Sequence, residues 1–180
     1  MFLLKQYPEY IFNFEGAVKY AWMKEYYPAQ YEEMKKFIES GRWHISGASW
    51  DATDTLVPSI ESAIRNIMLG QDYYRKEFGV ESTDIFLPDC FGFGWTLPAI
   101  ASHCGLIGFS SQKLQWRNKP FYGNDKYPFT VGLWQGIDGS TIMMTHGYDY
   151  NQRFEDGDLS ENKDLLELTG HSPLHMVYRY

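Results

Sequence analysis

Basic clusters, membrane-length apolar runs and cysteines are what this sequence has little of, and each shortage removes a class of protein. Lys and Arg number 16 against 23 Asp and Glu, a net charge of −7. No basic cluster rises above scattered surface charge, so neither nucleic acid nor an anionic membrane surface is an expected partner. No apolar run approaches the ~20 residues of a membrane-spanning helix, and the opening Met1-Phe2-Leu3-Leu4-Lys5-Gln6 turns polar too soon to read as a signal peptide. The two cysteines, Cys90 and Cys104, give neither a disulfide framework nor a four-ligand zinc site and read as core thiols. No repeat or linker divides the 180 residues, so one domain, or part of one, is expected.

What is abundant is aromatic: 6 Trp, 14 Tyr and 12 Phe. Such rings serve as flat apolar platforms in sugar-binding sites; alternatively they fill a large core shared with further sequence.

The chain is organised around Asp84-Ile85-Phe86-Leu87-Pro88-Asp89-Cys90-Phe91-Gly92-Phe93-Gly94-Trp95. Ile85 to Leu87 is the short apolar run of a strand covered on both faces. Pro88 closes it, Gly92 and Gly94 allow a tight turn, and Thr96-Leu97-Pro98 opens a helix with a hydroxyl cap and an early proline. Asp89 therefore falls at the carboxyl end of a strand, where α/β folds keep their chemistry. Its plain reading is a turn aspartate. With Cys90, Phe91, Phe93 and Trp95 expected to crowd it with apolar surface, it is also a candidate acid, nucleophile or metal ligand.

Elsewhere strands and helices alternate. A strand at 10–14 leads to a helix from Ala17 to near Tyr27, then a second amphipathic helix with Tyr31, Met34, Phe37 and Ile38 inward, stopped by Gly41. A strand at 43–47 precedes the polar loop at 48–54. Pro58 opens a long helix to Phe78, with Ile60, Ile64, Ile67, Met68 and Tyr74 on its expected buried side and Glu61 and Arg65 as an i,i+4 pair. A strand at 106–110 follows the Asp89 strand and its helix. Runs at 129–134 and 141–145 read as two strands turned at Asp138-Gly139, with a helix at 165–168 and a strand at 175–180 beyond. This order is the signature of a parallel α/β sheet or barrel. His44 and His103 read as partly buried structural histidines.

Ordered segments carry a resemblance: Tyr26-Tyr27-Pro28, Gly41-Arg42-Trp43, Ser49-Trp50, Asp54, Pro58-Ser59, Glu61-Ser62, Arg65, Gly70-Gln71, Phe78-Gly79, Leu87-Pro88-Asp89, Phe91-Gly92, Gln112-Lys113-Leu114 and Gly136-Ile137-Asp138-Gly139-Ser140. Together they resemble the catalytic domain of glycoside hydrolase family 38, the zinc-dependent retaining α-mannosidases, in a bacterial-type spelling. The resemblance implies an irregular (β/α) barrel of the seven-stranded glycoside hydrolase/deacetylase type, incomplete at both ends, with residues 1–180 as part of one catalytic domain. It implies that Asp89 is both nucleophile and zinc ligand, that Phe91 lies under the sugar, that Lys113 sits near the nucleophile, and that Tyr148 and Asp149 bind sugar hydroxyls. An α-mannoside glycan is the expected substrate, and a homo-oligomer is left open.

The chain departs from the family pattern in three respects. The family's His-x-Asp zinc ligands occur nowhere among its five histidines, His44, His103, His146, His171 and His175. The expected general-acid aspartate falls after Tyr180. Ala52 and Leu56 stand where the family commonly carries Glu and Asn. The expectation is a portion of a longer enzyme, inactive alone, whose other Zn2+ ligands lie outside this chain. Competing readings are a non-catalytic carbohydrate-binding protein, a metal-dependent polysaccharide deacetylase-like hydrolase, which would need a His-x-x-x-His-type pair, and a truncated product that does not fold stably.

Overall fold

Local sequence signals set the elements of the computed structural model, which describes residues 1–90, 92–111, 113 and 131–146. Helix α1 (Phe2–Gln6) inserts Leu4 and leads to strand β1 (Phe12–Phe14). Helix α2 (Ala17–Tyr26) follows, and Pro28 at the first helical position starts α3 (Pro28–Glu39). Left-handed Gly41, φ 73°, releases the chain into β2 (Trp43–Ile45). Helix α4 (Ile60–Phe78) is capped by the Ser59 side chain, which accepts from Ser62 N–H, and is stopped by left-handed Gly79. Then come β3 (Asp84–Phe86), α5 (Leu97–His103), β4 (Gly108–Ser111), β5 (Val131–Gln135) and β6 (Thr141–His146). Pro58 thus lies outside the helix it was expected to open. Thr96 precedes α5 without a side-chain cap bond.

Among the described residues the strands form two sheets. β1 pairs in parallel with β2, Phe12 opposite Trp43. The second sheet has the order β3-β4-β6-β5, parallel except for the antiparallel β5–β6 hairpin at its edge. The expected (β/α) barrel is therefore corrected: among the described residues neither sheet closes. Closure would need the parallel ladder to run on from β2 to β3. Instead Gly47, φ 73°, turns the chain out of line after β2. There the Asp84 side chain takes the Gly47 N–H at 2.9 Å, while Ala48 N–H meets Asp84 O at 2.8 Å. At the far edge the antiparallel β5 ends the parallel repeat.

Two cores result. Around the second sheet, Ile85, Leu87, Leu97, Ala101, Phe109, Ile142 and Met144 are buried, with Cys90, Phe93 and Trp134 against them. Around the first sheet, rings predominate: Phe14, Tyr20, Trp43, Tyr74 and Phe78 meet edge to face or stacked. Trp43 Nε1 donates to Tyr20 OH at 3.0 Å, and Tyr20 OH donates to Phe14 O at 2.9 Å. Much of the aromatic excess thus serves packing. Arg42 clamps the amino-terminal segment, donating to Leu4 O, Tyr7 O and Tyr10 O.

Helix α4 does not bury the face its apolar residues suggested. Ile67, Gly70, Gln71 and Tyr74 face inward, while Ile60 and Met68 are 55% and 60% exposed. The helix comes so close to the loop after β2 that a Cβ at Gly70 would stand 2.1 Å from Ala48 O. Only glycine fits. Next to it, buried Gln71 makes a two-bond clasp with Ser82 at the entry to β3: Nε2 donates to Ser82 O at 2.6 Å, and Oε1 accepts Ser82 N–H at 3.0 Å. Among the described residues no helix is long and apolar enough to cross a membrane.

Candidate active site

Asp89 and Lys113 meet because their strands are neighbours. β3 and β4 run parallel with Phe86 opposite Ser110, and Leu87 N–H to Ser110 O, 3.0 Å, carries the ladder one residue further. Asp89 follows β3 by three residues and Lys113 follows β4 by two, so both emerge at the same carboxyl edge. Buried Ser111 shapes the second exit by accepting Lys113 N–H on its Oγ at 3.1 Å. Lys113 Nζ then lies 2.5 Å from Asp89 Oδ1. The lysine side chain is 13% exposed and the aspartate 71%. A mostly covered stem thus brings an ammonium to a carboxylate that faces solvent, and the exposure makes the pair a device of orientation more than of stability.

This corrects the expectation of a carboxylate crowded by aromatics. Phe93 turns into the core against Phe109 and Trp134, ring centroids 4.9 and 6.5 Å away, and Trp95 is 76% exposed. Phe91, Tyr148 and Asp149, the other expected substrate contacts, lie outside the described residues, as do the elements expected at 165–168 and 175–180.

The cysteines are free thiols, both half-buried, as expected. Burial, followed by the charges of Asp54, Asp89 and Glu15, pushes the Cys90 thiol above its ordinary value. It therefore remains a donor, its S–H donating a hydrogen bond to Thr53 O at 3.0 Å, and is no thiolate nucleophile. His103 is not partly buried: it is exposed and pairs with Asp138 Oδ2 at 3.0 Å. Asp138 Oδ1 and Oδ2 also accept from Ser140 N–H and Oγ–H, at 3.0 and 2.8 Å, so the Gly136–Ser140 motif is a turn joining β5 to β6.

Sequence reasoning placed a polar loop at 48–54 but missed the contacts that Thr53 and Thr55 make. Thr55 Oγ1 donates to Gly92 O at 2.5 Å, and Asp54 Oδ1 accepts Leu56 N–H at 2.8 Å. Threonines in a loop carry no periodicity, so no sequence signal marked them. Beneath them a cleft lined by Ser49, Thr53, Thr55, Ile67, Leu87 and Leu97 has a volume of ≈ 30 Å³, room for about one water and far too little for a sugar ring.

The implied zinc ion can be tested against the donors. Among the described residues no three His, Cys, Asp or Glu side chains gather as a metal-holding group. Asp89 is a single carboxylate whose Oδ1 is already held by an ammonium, whereas zinc takes three or four protein ligands. The described residues by themselves do not fit the ion.

An α/β domain that sets a carboxylate and a lysine side by side where two neighbouring parallel strands end has the layout of an enzyme site. Over residues 1–169 the chain matches the N-terminal domain of glycosyl hydrolases family 38, and it belongs to that family. Alpha-mannosidase G of Dictyostelium discoideum is 37% identical over 166 residues, 88% of this chain and 15% of that protein. Alpha-mannosidase 2C1 of Homo sapiens is 32% identical over 142 residues, 79% of this chain and 13% of that protein. A crystal structure of a glycosyl hydrolase family 38 protein from Enterococcus faecalis shares the fold, with a TM-score of 0.65 and 20% identity over 92% of this chain and 17% of that one. The chain spans 13% to 15% of the length of these curated relatives.

Proposed function

We propose that this chain is the nucleophile-bearing part of a retaining α-mannosidase that removes terminal α-linked mannose from glycans. The observation that carries the reading is the pairing of Asp89 with Lys113 at one strand edge, in a chain of a family whose relatives are named α-mannosidases. A retaining glycosidase needs a carboxylate to attack the anomeric carbon and a second carboxyl group about 5–5.5 Å away to protonate the leaving oxygen, then to activate water. Asp89 is assigned the attack. Its exposure lets a ring approach, and the ammonium on Oδ1 restricts how the carboxylate rotates. Phe91, Tyr148 and Asp149 are assigned to the sugar on the strength of the family resemblance, and the second carboxyl group lies beyond the described residues.

Zinc binding belongs to this proposal with Asp89 as one ligand and the others beyond the described residues; when bound, the ion would act as a template for neighbouring sugar hydroxyls and as a Lewis acid. Calorimetric zinc titration of the α-mannosidase of which this chain is proposed to be part, and of its Asp89→Ala variant, tests it: submicromolar binding lost in the variant supports the ligand role, and equal binding by both removes it.

Hydrolysis is tested with an aryl α-mannoside on the α-mannosidase of which this chain is proposed to be part, the first-formed sugar being read by NMR. Release of the α-anomer, abolished in Asp89→Asn with folding retained, is the expected result. Release of the β-anomer, or an active Asp89→Asn chain, refutes the assignment.

A further inference from the structure

The loop before α4 is fastened to the turn that carries Asp89. The Thr55 hydroxyl holds Gly92 O at 2.5 Å and Thr53 O takes the Cys90 thiol at 3.0 Å, so the loop grips the turn on either side of residue 91. Leu56 lies over the same backbone: a Cβ at Gly92 would stand 2.4 Å from Leu56 Cδ1. The loop has its own shape, because Asp54 accepts Leu56 N–H at 2.8 Å, an aspartate turn. Its upstream end is tied to α4, where Asn66 O takes Trp50 N–H at 2.8 Å and the Asn66 amide exchanges bonds of 2.8 and 3.1 Å with Asp51. The cleft of ≈ 30 Å³ lies under Thr53 and Thr55. The loop therefore bridges a gap, and hydrogen bonds hold it where packing from below does not.

We infer that Thr55 is a positioning residue: with Thr53 O and Leu56 it straps Cys90 and Gly92, just after Asp89, and so fixes where the Asp89 carboxylate stands beside Lys113. The inference rests on the reading of Asp89 as the nucleophile. Thr55 acts through the turn alone. Without its hydroxyl the turn loosens, the Cys90 thiol opens to reagent, and the carboxylate shifts relative to its target, a fault that lowers kcat with little effect on KM.

Thr55→Val removes the hydroxyl at nearly constant shape, and Thr55→Ser keeps it. An aromatic disulfide reagent should label Cys90 about fivefold faster in Thr55→Val, the equivalent of one lost hydrogen bond. The rate should return to that of the unaltered chain in Thr55→Ser, with Cys104 as the constant internal reference. The NMR shift of the Asp89 carboxyl carbon should move in the first variant and return in the second. Equal Cys90 labelling in all three chains overturns the strap, as does equal acceleration at Cys90 and Cys104. An unmoved Asp89 signal beside faster Cys90 labelling overturns the positioning role. None of these readouts needs turnover. Aryl α-mannoside hydrolysis that survives in Asp89→Asn would sink the nucleophile assignment separately, leaving the labelling result to judge the strap.

Discussion

Replacing Gly70 with alanine sets a helix preference against a backbone contact, and the geometry decides the sign. In the interior of α4 alanine is favoured over glycine by about 1 kcal/mol. Against that, the new Cβ would stand 2.1 Å from Ala48 O, 2.4 Å from Ser49 C and 2.7 Å from Trp50 N. The loop would have to retreat 0.9 Å for the first contact to go from 2.1 Å to 3.0 Å, the closest approach real Cβ atoms show. It is not free to do so. Ala48 N–H is held by Asp84 O at 2.8 Å, Ser49 O accepts from Ala17 N–H at 3.2 Å, and Trp50 O accepts from Val18 N–H at 2.8 Å. A retreat of that size breaks the three bonds to Asn66, at about 1 kcal/mol each. Net destabilisation is therefore about 2 kcal/mol, or a Tm lower by about 4–8 °C for a chain of this length. Thermal melts of the two chains followed by circular dichroism measure it. An unchanged or higher Tm, as an open helical glycine would give, refutes the close approach on which the whole 48–51 loop depends.

Glu77 offers a pH test. The Lys24 ammonium, 2.6 Å away, lowers its pKa below the ordinary 4.5 despite opposing burial, with the Tyr31 hydroxyl at 2.9 Å helping. A depressed carboxylate contributes stability above its ordinary value and loses it as pH falls through the folded-state value. Urea midpoints should therefore drop more steeply below about pH 4.5 in the unaltered chain than in Glu77→Gln; parallel profiles would remove the pair from the account. Arg42→Ala should cost about 2 kcal/mol, because the guanidinium donates to the carbonyls of Leu4, Tyr7 and Tyr10 and charged hydrogen bonds are the stronger kind. Arg42→Lys should restore less than half, since one ammonium cannot reproduce the fork. Amide exchange that stays slow through residues 4–12 in Arg42→Ala would contradict the clamp.

The alternation of strands and helices was legible because apolar runs, prolines and glycines punctuate it, and Gly41 and Gly79 stop their helices where expected. The buried face of α4 was not. Apolar residues lie on both sides of that helix, and the inward side was decided by Gly70 and Gln71, a contact by absence of a side chain and a buried amide, neither of which hydrophobic periodicity registers. Sheet closure was misjudged for a similar reason: whether β2 and β3 share a ladder turns on left-handed Gly47 and the Asp84 carboxylate, two residues without a pattern. Asp89 could be picked out from its place after an apolar strand, whereas Lys113, by its residue type alone any surface lysine, was set near it by the family resemblance and gains a physical reason only through strand pairing.

Helix α4 also works as a ruler. Asn66, Gly70 and Gln71 index two separate segments, the loop after β2 and the start of β3, against one rigid rod that advances ~1.5 Å and turns ~100° per residue. A residue added near Ser59 would lengthen the rod's free end and leave both marks in place. One added between Gly70 and Gln71 would swing the marks for the loop away from the mark for β3, and the two segments would lose their common scale.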